Sequence, residues 1–326
     1  MIMKGYTLKL NIYTIALKDG ERKDATFHSL HRVIAGRDDM SKTDMFSLVK
    51  EKFLKSFSDK FVLNYNKTKG IAIKEISTIP TKNIIDGMMI GGLTGIEQDV
   101  YNTSSSDEKQ DTIAKDEVTA LPYYFKIWMP YDSSVGVVMV QSYTETGVVS
   151  LALDKIKHFF KSYGFSVGSN PFVDKEYKER FKKRSIVDKL ILTKTHLSSE
   201  ARCALNQMFT NFEGLKVEIK ISGFNVSIDE FWKQVDNENP LDIDLADFEM
   251  NKKENYDIIA TYKDLSGKQS QARLSKKLDI MPTIILDSTL KEPGKEYPNY
   301  TKIHTHTNSI LTKVKQEIGY EAIDVG

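Results

Sequence analysis

The sequence predicts an α+β fold of mainly antiparallel sheets with packed helices. Three observations lead there. Strand-like and helix-like segments follow one another without a regular βαβα rhythm, which argues against a doubly wound parallel sheet. Residues 121–160, LPYYFKIWMPYDSSVGVVMVQSYTETGVVSLALDKIKHFF, read as strand, turn, strand, turn, helix. Residues 61–65 and 71–76 bracket the loop Asn66-Lys67-Thr68-Lys69-Gly70, a hairpin pattern with a glycine in its loop.

The elements follow in order. Residues 4–17 alternate loosely and end on Lys18-Asp19-Gly20-Glu21, so they suit a first strand and a turn. A helix fits 43–57, where Phe46, Val49, Phe53, Leu54 and Phe57 recur at spacings of three and four, and Ser41 or Thr43 supplies the cap. Residues 87–101 open glycine-rich and suit a further strand. The run NTSSSDEKQDTIAKD, 102–116, has almost no apolar content to offset the entropy of ordering, so it reads as a mobile loop or an interrupted strand pair. Strands follow at 123–129 and 135–143. A helix spans 149–163, with Leu151, Ile156, Phe159 and Phe160 on one face and Gly164 placed to end it.

Composition shifts after Asn170-Pro171. The break separates an N-terminal α+β domain, 1–170, from a C-terminal α+β domain, 171–326. The second holds strands at 186–195 and 215–221 and a short helix at 228–235. Residues 257–262, 269–275 and 281–286 then resemble an antiparallel meander, and 300–318 form a final helix.

Composition narrows the function classes. Of 326 residues, 40% are apolar and 28% charged, enough to build a core, and the net charge of +1 gives the whole molecule no preference for polyanions. The single cysteine, Cys203, excludes an internal disulfide and a cysteine-based zinc site. The start, MIMKGYTLKLNIYTI, has no apolar core behind a basic segment, and no window approaches eighteen uninterrupted apolar residues, so the reading is a cytoplasmic protein without membrane insertion.

The usual catalytic parts are missing. The glycine run 87–95, GMMIGGLTG, is followed by Ile96 and Glu97, where a P-loop needs lysine and a hydroxyl. A bent strand is its plain reading. His304 and His306 share a face only on a strand; on a helix their rings point about 200° apart. His28 and His31 share a helical face ahead of Asp38 and Asp39, and Asp257 and Lys263 lie on one strand, but neither set matches a two-metal nuclease pattern. Cys203 in ARCALNQMF reads as a buried, inert thiol on the apolar side of a helix. No catalytic residue, metal ligand or cofactor is assigned.

Local charge is more informative. Residues 175–202 carry nine lysines and arginines against four acids, and 263–277 carry five against one. Residues 229–257 balance them with ten acids against three lysines. In KEYKERFKKR, Tyr177 and Phe181 anchor a helix that turns its lysines outward. Lys178, Lys182, Lys183 and Arg184, with Lys268, Arg273, Lys276 and Lys277, are the candidate nucleic-acid contacts.

Residues 61–76, then a polar loop, then LPYYFKIWMP and VGVVMVQSYTETGVVSLALDKIKHFF, then KKRSIVDKLILTKT resemble the phage-exclusion and anti-phage defence proteins of the RexA and KwaB type. The resemblance implies a non-enzymatic DNA-binding protein of bacterial anti-phage defence, a homodimer acting with a partner defence protein. Double-stranded DNA is the favoured ligand. The alternatives are a metal-dependent nuclease using His304, His306 or a strand aspartate, and an interaction subunit whose acidic 229–257 segment docks a basic partner.

Overall fold

The structure, a computed structural model, describes residues 6–19, 25–37, 39–57, 60–79, 82–104, 106–143, 147–195, 197–231, 233, 257–263, 269–273 and 284–320. The fold is α+β with antiparallel sheets. Backbone contacts divide the chain into two units. The first comprises Met1–Phe172 and Thr283–Gly326, the second Val173–Pro282.

The first unit is built on β1 (Leu8–Asp19), β2 (Val62–Leu63), β3 (Lys69–Ile79), β4 (Ile84–Leu93), β7 (Thr119–Trp128), β8 (Val135–Tyr143), β9 (Phe165–Phe172) and β14 (Ile284–Ile285). They form one eight-stranded sheet in the order β14-β1-β8-β7-β4-β3-β2. β14 pairs with Lys9 and Leu10, and β9 takes the same edge of β1 from Ile12 to Asp19. Residues 284–285 therefore leave the expected meander and join the first unit. Two residues cannot display an alternation, so the pattern gave no guide to their partner. The polar run after Tyr101 is an interrupted pair: β5 (Gln98–Tyr101) and β6 (Lys109–Ile113) form a two-stranded ribbon.

Register sorts the side chains of β4 and β7 onto two faces. Ile84 lies opposite Trp128, Asp86 opposite Lys126, and Met88 opposite Tyr124. Their odd-numbered neighbours on β7, Tyr123, Phe125 and Ile127, point the other way. On that second face lie α1 (Phe27–Ala35), α2 (Lys42–Lys55) and α3 (Val149–Lys161). Phe53 of α2 stands 6.3 Å from Phe125 and 5.2 Å from Phe159 of α3, and Phe27 of α1 stands 6.2 Å from Phe160. Local signals start and stop these helices. Thr26 and Ser29 form a capping box at α1, Gly36 ends it at φ 66°, and Ser41 caps α2.

The first face receives α6 (Tyr300–Glu317). Tyr300 lies 6.0 Å from Tyr124, and the Lys315 ammonium sits 4.4 Å over the Trp128 ring. Residues 87–93 of the glycine run fall on β4, with close neighbours, and the strand expected over 87–101 breaks after Leu93, where Gly95 takes φ 84°. A Cβ on Gly92 would stand 1.7 Å from the Thr119 carbonyl oxygen.

The second unit is a four-stranded sheet, β11-β10-β12-β13, from β10 (Ile186–Thr195), β11 (Lys216–Ser227), β12 (Asp257–Lys263) and β13 (Gln269–Arg273). An irregularity between Val187 and Lys189 shifts the alternation by one. Val187, Leu190 and Leu192 therefore all turn inward, with Ala260 and Tyr262. α4 (Lys175–Arg184) and α5 (Ser199–Leu205) complete the unit. Among the described residues no helix is long and apolar enough to cross a membrane.

Candidate nucleic-acid interface

α4 carries the first basic cluster. Val173 ahead of it is buried, Tyr177 is half-buried, and the Arg180 guanidinium lies 5.8 Å from the Tyr177 ring centre. That contact lies within the helix, and the buried Val173 and half-buried Tyr177 mark its inward side. Lys183 and Arg184 are exposed and form no ion pair among the described residues, while Lys178 is half-buried. Lys182 lies on the α4 backbone, with its side chain outside the described residues.

The sheet brings part of the second cluster beside this helix end. Ile186, two residues after Arg184, has Lys263 of β12 as its Cα partner. Lys263 is exposed and lies 3.4 Å from Asp188. Lys189 is half-buried, and Lys216 and Lys220 are exposed along β11, with Glu218 pairing Lys216 at 2.5 Å. Sequence reasoning counted Lys189 in the basic stretch 175–202 but missed Lys216 and Lys220. Their spacing of four along β11, with Glu218 between, places them on the solvent face of an alternating strand, and that signal was available. Arg273 ends β13 opposite Ile259, its side chain outside the described residues. Lys268, Lys276 and Lys277 lie outside the described residues altogether, as does most of the acidic segment.

A second polar constellation lies in the first unit, between β4, β7 and α6. Asp86 is fully buried and Lys126 is 1% exposed. Asp86 Oδ2 accepts from Tyr124 Oη at 2.7 Å and is 2.5 Å from His304 Nδ1, and Asp86 Oδ1 accepts from Tyr300 Oη at 3.3 Å. Lys126 Nζ stands 3.7 Å from the same carboxylate and donates to Asn308 Oδ1 at 2.5 Å and to the His304 carbonyl at 3.4 Å. Asn308 Nδ2 lies 3.0 Å from His304 Nε2, and Thr307 Oγ1 is 3.0 Å from Tyr124 Oη. Burial lowers the Lys126 pKa to about 8, with the Asp86 charge opposing it. Burial, reinforced by Asp86, raises that of Tyr124.

This network is closed on itself. Both ring nitrogens of His304 and the ammonium of Lys126 are engaged by protein groups, which leaves them a fixing role between helix and sheet. His304 and His306 diverge on α6. His304 meets Asp86, whereas His306 is half-buried near Asp287, its pKa lowered by burial and raised in smaller part by that carboxylate. Among the described residues no three His, Cys, Asp or Glu converge as a metal set.

The other single residues resolve individually. His31 is fully buried, its ring edge-on to Phe46 at 5.6 Å and to Tyr131 at 4.9 Å. His28 packs on the same tyrosine at 5.5 Å. Cys203 is exposed, contrary to the buried thiol expected from its apolar neighbours. The reason is that α5 is only seven residues long and buries only Ala201.

Comparison with known proteins adds nothing to this geometry: no protein-family model, no curated protein and no solved structure matches the chain.

Proposed function

We propose that this chain binds nucleic acid, with duplex DNA as its ligand, through the basic end of its second unit. The carrying observation is the adjacency of the α4 terminus and β12. Lys183 and Arg184 stand exposed without ion pairs among the described residues, and Lys263 is paired to the strand that starts two residues later. A phosphate backbone lying there meets three cations from two elements. Contacts of this kind position a duplex without reading its bases. The half-buried Lys189 and exposed Lys220 extend the same charge along the sheet. The likeness to the RexA and KwaB proteins supports the reading. On that reading the protein works as a homodimer in the bacterial cytoplasm, alongside a partner of anti-phage defence.

The test is charge reversal at the helix end. Lys183→Glu with Arg184→Glu should weaken binding of a fluorescein-labelled duplex by at least about tenfold, since each loses a phosphate contact and adds repulsion. The same reversal at Lys50 and Lys52 of α2, in the other unit, should leave affinity unchanged. Equal affinity of the Lys183/Arg184 variant and the parent would reject this surface.

A further inference from the structure

We infer that the first unit holds a binding site of its own, a cleft that takes a small apolar carboxylate. The cleft has a volume of about 390 Å³ and runs between the ends of β3, β4 and β7 and the start of α3. That is within the range of small-molecule sites, roughly 300–1,000 Å³. Leu93, Leu121, Tyr123 and Val148 give it apolar walls, and Gly92 contributes only backbone. Leu93 is 46% exposed although the strand behind it is buried, so apolar surface is left uncovered at the mouth.

One charge stands in this apolar setting. The Lys69 side chain is half-buried and crosses the cleft to donate to the Gly147 carbonyl at 3.0 Å. No carboxylate pairs with it among the described residues. An ammonium has three protons, and among the described residues the Gly147 carbonyl takes one of them, which leaves the others to an acceptor entering the cleft. The α3 cap residue at the same mouth, Val148, offers no side-chain oxygen to the first N–H groups of the helix, so the local field also favours an anion. The ligand class follows from the sum: an apolar body against Leu93 and Leu121, and a carboxylate on Lys69. The inference is independent of the nucleic-acid reading, which concerns the other unit.

Ligand-observed NMR titration of the full chain with octanoate and with octan-1-ol tests it. Octanoate should saturate and bind about tenfold tighter than the alcohol, as one charge-assisted hydrogen bond warrants. Lys69→Met should abolish the preference, Lys69→Arg should keep it, and Leu121→Trp should block both ligands. Circular dichroism checks each variant's fold. If Lys69→Met does not fold, Lys69→Arg and Leu121→Trp decide the matter. Absence of saturable octanoate binding to the parent chain overturns the inference. So does a folded Lys69→Met that still prefers octanoate, or a folded Leu121→Trp that binds it as the parent does.

Discussion

Asp86 and Lys126 are two charges that the fold has taken out of water, and each is tolerable only because of the other and of the hydroxyls and amide around them. Asp86→Ala leaves a buried ammonium uncompensated and should lower the stability of the first unit by about 3–5 kcal/mol in urea unfolding. The double change Asp86→Leu with Lys126→Met removes both charges and should recover most of that loss. His31 makes a pH prediction. Burial, with a smaller contribution from the charge of His28, holds its pKa at about 3, against 6.5 when the chain is unfolded. Between those values the unfolded chain binds a proton that the folded chain refuses. Stability is therefore complete above pH 6.5 and falls as the pH drops, by about 1.4 kcal/mol per unit. His31→Leu should flatten that slope in denaturant titrations between pH 4 and 7. At this scale the sequence was only partly legible. An aspartate inside IIDGMMIGGL and a lysine inside YYFKIWM mark charges in apolar strands. That they face each other depends on register, which no single strand reveals.

Elements were legible where periodicity is strong. The strands expected at 135–143 and 186–195 have those bounds in β8 and β10, because each alternates or runs apolar between clear turn signals. Helices α2, α3 and α6 also lie where spacing placed them, with ends differing by a residue or two. What sequence could not supply was partnership. Residues 284–285 cross back to β1, and α6 docks on the face of Asp86, through contacts separated by more than 200 residues. β8 illustrates how close these docked layers are. A Cβ on Gly136 would stand 2.5 Å from the Trp128 carbonyl oxygen and 2.9 Å from the Phe27 ring. Gly136→Ala should therefore destabilise the first unit by about 1–3 kcal/mol, read as a lower denaturation midpoint with unchanged m-value.

At the scale of the whole molecule, a net charge of +1 conceals an uneven distribution, and the functional reading depends on that unevenness. The basic stretch on 175–202 was legible as composition. The charge of 263–277 was legible too, but not its placement, since Lys263 comes near the end of α4 only through sheet pairing with Ile186. Four of the eight basic residues first singled out, Lys178, Lys182, Lys183 and Arg184, lie on α4, and the strand lysines now extend that set. The most direct measurement is fluorescence anisotropy of a labelled DNA duplex across a salt series, for the parent chain and for Lys183→Glu with Arg184→Glu. The account predicts a log affinity that falls linearly with log salt, by about 0.9 per phosphate engaged, and a slope shallower by about two in the variant. No binding at low salt, or binding whose slope the two substitutions leave untouched, would contradict it.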